Sequence, residues 1–177
     1  FPAPAVGEEF DASKIEQITY APVSKLKKGA KRTEAEKSLP LLGHAQGLCY
    51  AFDSLYVVVN GRNTPTGSGI FRLRDTNNDD RFDKIDVIRK LDSTGGEHGP
   101  HGIIKSPDGK HLLVVMGNQT ELPRNYSHSR VPELWGEDQL FKPIAHYMVG
   151  AKAPLGHVAQ IDPEGKTWDV IATGFRN

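Results

Sequence analysis

The sequence predicts an all-β chain: a partial β-propeller of about two four-stranded blades with flanking segments, incomplete without further blades. Three observations predict it. From Gln46 onward, short apolar runs alternate with Gly, Asn, Asp and Pro turns, which is the texture of strands joined by tight connections. The runs fall into two sets that echo each other, because Leu55-Tyr56-Val57-Val58-Val59-Asn60-Gly61 and Leu112-Leu113-Val114-Val115-Met116-Gly117-Asn118 hold the same place in each. The sets repeat at about 40 to 55 residues, the size of a propeller blade. A β-sandwich would also supply groups of four strands, but it does not predict the echo.

Taken in order, residues 1–39 form an N-terminal extension and connector with one strand expected near 15–20, and residues 40–177 form the propeller segment. The first blade covers 46–90, with strands over 47–52, 55–60, 69–74 and 84–90. The second covers 100–173, with strands over 101–105, 111–117, 156–162 and 167–173 and an inserted loop over 119–155. His111 to Met116 is too continuously apolar to have one wet face, so this strand should be buried on both sides. Pro107-Asp108-Gly109-Lys110 supplies the turn before it. Two blades do not close a propeller, which takes about four or more. The remaining blades are expected from a longer parent chain or from other subunits.

Composition narrows the partners. Lys and Arg number 22 and Asp and Glu number 22, so no net basic surface is available and nucleic acid is not an expected partner. No apolar run approaches the roughly 20 residues of a membrane helix, so a chain with no membrane span, soluble as given, is expected. Cys49 is the only cysteine, which rules out an intrachain disulfide and leaves the redox compartment open. The opening FPAPAVGEEF holds no signal peptide and suits either a processed terminus or a fragment boundary.

The residues best suited to chemistry gather in Gly95 to Asn118, where Glu97, His98 and His101 sit in a glycine- and proline-rich entry to two strands. A stiff entry presents side chains at low entropic cost. The same histidines read equally as structural, each ring serving carbonyls of its own turn. The i, i+3 spacing has no further partner with metal-site spacing, so zinc is not expected. In the inserted loop, Tyr126, His128, Arg130, Glu137, Asp138 and His146 accompany Trp135, whose indole would stack on a sugar or be pinned beneath its own loop. The acidic stretch from Asp75 places oxygen donors at alternate positions, with Asp75, Asn77, Asp79, Asp83 and Asp86 as candidate calcium ligands. Asp80 replaces the usual glycine there, and an Asx-rich hairpin turn without an ion fits the same residues.

The runs HAQGLCYAFDSLYVVVNG, SGIFRLRDTNNDDRFDKIDVI, GEHGPHGIIKSPDGKHLLVVMGNQT, RVPELWGEDQL and ATGFRN resemble the propeller domain of the planctomycete-type membrane-bound dehydrogenases, relatives of the quinoprotein glucose and sorbosone dehydrogenases. The resemblance spans residues 40–177. It implies a portion of a sugar or alcohol dehydrogenase that uses pyrroloquinoline quinone (PQQ), is periplasmic or otherwise exported, and passes electrons to a cytochrome-type acceptor. It implies His98 as the base for the substrate hydroxyl, with Glu97 orienting its ring, and Arg176, Asn177 and Gln46 as cofactor contacts. His101 and Trp135 are the substrate-side candidates. A non-catalytic propeller segment that binds carbohydrate or protein within a larger redox assembly is the alternative.

Overall fold

A computed structural model describes residues 42–61, 66–78, 82–93, 96–131 and 156–175. The expected strand near 15–20 and the rest of the N-terminal extension lie outside the described residues.

Every regular element among the described residues is a strand, and the eight strands form two four-stranded antiparallel sheets, each a simple meander. The first holds β1 (Ala45–Ala51), β2 (Ser54–Val59), β3 (Gly69–Arg74) and β4 (Lys84–Lys90) in sequence order. The second holds β5 (Pro100–Lys105), β6 (Leu112–Met116), β7 (Gly156–Ile161) and β8 (Asp169–Phe175), again in sequence order. The described residues are therefore all-β, as the turn-punctuated apolar runs predict. β2 is buried along most of its length, but β6, expected from its continuous apolar run to be buried on both sides, is covered on one: Leu112, Val114 and Met116 are buried, whereas Leu113 and Val115 are only half-buried because no core cluster among the described residues covers their face. No described helix is long and apolar enough to cross a membrane.

Each connection has a local cause. β1 turns into β2 through Phe52 and Asp53, both at positive φ (51° and 48°), the backbone of a two-residue hairpin whose twist matches the flanking strands. β5 turns into β6 through residues 106–111, where Asp108 accepts hydrogen bonds from the Ser106 hydroxyl and the Lys110 amide (2.9 Å). β7 turns into β8 through Asp162, whose carboxylate accepts from the Glu164 amide (2.9 Å) and the Thr167 hydroxyl (2.8 Å).

The sheets pack face to face with the first strand of each, β1 and β5, against one another. The face of the first sheet that carries Tyr56, Val58 and Ile70, its forward face, meets the face of the second that carries Leu112, Val114, Met116, Ala159 and Ile161, its rear face. All eight side chains are fully buried. At roughly 25 cal/mol per Å² of apolar surface removed from water, this seam is the main cohesive contact of the pair. Its lower edge is closed by polar groups: the Tyr56 hydroxyl donates to the Pro163 carbonyl (3.1 Å), and Arg89 donates to the Gly165 carbonyl (2.8 Å). Arg72 reaches Glu164 across the seam at 3.6 Å.

Trp168, just before β8, is buried to 1% exposure, with the His157 ring edge-on at 6.0 Å and the Arg89 guanidinium 5.6 Å from its ring centroid. The described start of the inserted loop lies along this region. Ser127 exchanges backbone hydrogen bonds with Trp168 and Val170 (both 2.7 Å), and Asp169 accepts from Ser127 and Ser129.

Candidate functional site

The end of the sheets where β1 begins and β2 ends holds Gln46, Glu97, His98 and His101 of the residues singled out in the sequence. Gln46 is the extra residue of a β-bulge, because Ala45 pairs with Val59 while Gly47 pairs with Val58. A second bulge lies on β5, where the register slips between Pro100 and Ile103 and so falls on His101 and Gly102. The two irregularities meet. The His101 carbonyl sits against the Cα of Gly47, in space that a Cβ would occupy, so only glycine allows β1 and β5 to approach this closely. Bulges re-aim side chains and gather at strand ends beside sites. Gln46 is exposed and His101 is half-buried.

His98 lies in the turn that delivers the chain into β5, and both sheets hold that turn. From the first sheet, Asn60 donates through Nδ2 to the Gly96 carbonyl (2.6 Å), and its amide group fills the space beside Gly99 where a Cβ would stand. From the second, the Gln119 amide donates to the His98 carbonyl (2.9 Å) and the Gly117 amide to the Gly99 carbonyl (2.8 Å). His98 is 7% exposed, whereas Glu97 beside it is exposed at the crest of the turn. Asn60 Oδ1 and Gln119 Oε1 are buried along this turn without hydrogen-bond partners among the described residues, so two polar acceptors border the candidate site.

Asn60 and the 117–119 turn were not among the candidate residues. Their signal lies in the echo itself, since each second strand ends in an Asn beside a Gly, Asn60-Gly61 and Gly117-Asn118. His157 and Trp168 were also missed, because a lone His or Trp inside a short apolar run carries no periodic mark.

Arg176, Asn177 and Trp135 lie outside the described residues, as do Glu137, Asp138 and His146. β8 ends at Phe175, opposite Gly156 at the start of β7. The structure brings Gln46, His98 and His101 to one end of the paired sheets.

The acidic loop is arranged differently from a cation cage. Asp83 accepts from the Thr76 amide (2.9 Å) and hydroxyl (2.7 Å), and Asp75 accepts from the Asn77 amide (3.2 Å). Asp86 is spent on cations: Arg74 Nη2 lies 2.7 Å and Arg72 Nη2 3.5 Å from its Oδ2, with Lys84 at 3.9 Å from Oδ1. Burial pushes the Asp86 carboxyl up, but the hydrogen bond and charge of Arg74, with Lys84 and Arg72, hold it below the ordinary range. A carboxylate already shared by three cations does not fit as the twelfth ligand of a calcium loop. Asp79 lies outside the described residues, and among the described residues no group of three or more His, Cys, Asp or Glu side chains converges as a metal site.

A shallow cleft between the end of β4 and residues 121–124 is lined by Arg89 and Arg124 together with Asp92 and Glu121. With Lys90 also on its wall, three cations face two carboxylates there. No family model, no curated protein and no solved structure matches the chain.

Proposed function

We propose that the two sheets are consecutive blades of a propeller and that the chain is a portion of a quinone-dependent sugar or alcohol dehydrogenase of the exported, cytochrome-coupled kind. The observation that carries this reading is the meeting of two bulges at one end of the sheets, which gathers Gln46, His98 and His101 beside a turn clasped from both blades. Sequential meanders whose first strands lie side by side support the propeller half of the proposal.

A bound PQQ would supply the hydride acceptor, held by Gln46, Arg176 and Asn177. The chain's own residues do the rest. His98 accepts the proton of the substrate hydroxyl, in a turn whose carbonyls are fixed by Asn60, Gly117 and Gln119, so that little reorganisation is needed at the moment of transfer. Glu97, exposed on the same turn, orients the ring from the solvent side, and His101 and Trp135 bind substrate. Within the complete protein, His98→Ala is expected to lower turnover by about 100-fold or more with folding intact, the range of a lost general base. Unchanged turnover would remove the catalytic assignment.

The burial of His98 to 7% favours a second reading, in which the histidine serves its own turn and the segment is a non-catalytic scaffold binding carbohydrate or protein. Under that reading His98→Ala lowers the unfolding midpoint and leaves no turnover defect in the fraction that folds.

A further inference from the structure

The second sheet has a forward face of its own, and it is open. By the echo between the sheets, Leu113 and Val115 on β6 correspond to Tyr56 and Val58 on β2, and the pairings Val115 with Val158 and Val58 with Ile70 extend the match to the third strands. Ile104, paired with Leu113, likewise corresponds to Cys49, paired with Tyr56. In the first sheet these residues are covered: Tyr56, Val58 and Ile70 are fully buried, and Cys49 packs on the core beside them. In the second, Ile104 is 60% exposed, Leu113, Val115 and Val158 are only half-buried, and none of the four belongs to a core cluster. Phe175, 41% exposed, ends the adjoining strand.

We infer that this face, formed by Ile104, Leu113, Val115 and Val158, is the docking surface for a third four-stranded sheet that presents a rear face of large aliphatic side chains. The inference rests on the stacked-blade half of the proposal above and not on its chemistry. The established seam between the two sheets defines the partner, because the same residue positions of the first sheet are met there by Leu112, Val114, Met116 and Ile161. The open face is also the more apolar of the two forward faces. Where the first sheet needs Pro163 and Glu164 to satisfy Tyr56 and Arg72, the second has Leu113 and the neutral Gln160, so its partner needs no acid in that turn.

A second copy of this chain is a poor occupant in the head-to-tail sense. The rear face of its first sheet is already closed at the centre, with Val59 and Phe71 fully buried, Leu73 at 2% and Val57 at 3%, although Leu48, Tyr50 and Val87 at its rim are exposed. A free rear face must therefore come from a sheet other than the two among the described residues.

The test uses Ile104→Cys in the full chain, with the half-buried Cys49 as internal reference, and compares it with the same chain extended after its last residue by a second copy of residues 92–175. That copy carries the rear face of Leu112, Val114 and Met116. Thiol labelling, mapped by peptide mass, should be faster at position 104, 60% exposed, than at the half-buried Cys49 in the parent chain. At position 104 it should be slowed about tenfold or more in the extended chain, as burial limits access. In the extended chain that keeps Ile104, Ile104→Lys should remove the rise in unfolding midpoint that the extension gives, while leaving the midpoint of the unextended chain unchanged. Equal labelling of position 104 with and without the extension overturns the inference, including the case in which the added copy stays unfolded. Concentration-dependent protection in the parent chain alone also overturns it, because the occupant is then a second copy. A turnover assay on His98→Ala is blind to all of these outcomes, so a failure here leaves the catalytic reading where it stood.

Discussion

The two sheets share a meander topology and an echoing second strand, yet one is covered on both faces and the other on one. In the first, Tyr56 and Val58 look into the seam while Val57, Val59, Phe71 and Leu73 form a second small core on the opposite side with Leu42 and Phe82. In the second, the inward residues are as fully buried, but Leu113 and Val115 face outward. Equivalent positions thus carry different energetic weight. The difference lies in cover and not in topology: both sheets carry apolar residues on two faces, and only the first has core clusters on both.

The residue before the fourth strand separates the sheets most sharply. In the first sheet it is Asp83, exposed and bonded to Thr76; in the second it is Trp168, buried between His157 and Arg89. Trp168→Ala should therefore cost about 3 to 5 kcal/mol, the range for emptying a large aromatic site. Asp83→Ala, at an exposed turn, should cost far less. Chemical denaturation of the two variants checks the contrast, and similar midpoints would mean that the second sheet is not keyed by its tryptophan.

A matched pair of valines sharpens the comparison next. Val58 and Val115 hold the same place in the echo, but only Val58 is fully buried. At about 0.8 kcal/mol for each buried CH₂, with a further term for the cavity, Val58→Ala should cost about 2 kcal/mol and Val115→Ala less than about 1. Capping the open forward face should raise the second value toward the first. Equal costs in the chain as it stands would show that something already covers Val115.

Strand positions were legible because apolar runs punctuated by Gly, Asn, Asp and Pro leave few alternatives, and boundaries such as Gly69–Arg74 and Lys84–Lys90 follow the residues directly. The end of the molecule that gathers Gln46, His98 and His101 was legible as a cluster of unusual residues but not as geometry. The bulges at Gln46 and at His101 and Gly102 depend on register, and register is set by the partner strand. The acidic loop was the hardest to read. Asp75 directly follows β3 as Asp162 directly follows β7, so the carboxylates that resemble a calcium loop are the first sheet's version of an Asx-stabilised turn. Alternation of oxygen donors cannot distinguish ligands from turn acceptors, because both uses need carboxylates aimed at one small space.

That pair of turns gives a pH test. Burial pushes the Asp162 carboxyl up, but the amide and hydroxyl of Thr167 and the amide of Glu164 outweigh it, leaving the folded-state value below the ordinary 3.8. A carboxyl whose pKa is depressed on folding stabilises the protein above its unfolded value and loses that contribution as pH falls toward the folded one. Stability should therefore decline below about pH 4. Asp162→Asn should flatten that decline while lowering stability at neutral pH, and thermal melts across the acid range measure both. An unchanged acid limb would place the sensitivity elsewhere, with Asp86 and Asp169 as the other depressed and partly buried carboxyls.

The smallest effect lies in the first hairpin of each sheet. The second sheet turns through Gly109 at φ 72°, where glycine is free of strain, but the first turns through Phe52 and Asp53, both non-glycine at positive φ. Phe52 is held there by an edge contact to Tyr56 at 6.4 Å and by Lys105 over its ring at 5.1 Å, so its strain is offset by contacts that reach the second sheet. Asp53 is exposed. Asp53→Gly should relieve the left-handed backbone and stabilise the hairpin by about 0.5 kcal/mol, less than the full penalty because Asp tolerates this region better than most residues and glycine loses more entropy on folding. Phe52→Gly relieves the same strain and yet should destabilise, since it removes the ring that joins the sheets. Opposite signs for these neighbouring substitutions would separate backbone strain from contact between the sheets, whereas stabilisation by both would show that Phe52 contributes nothing to the seam.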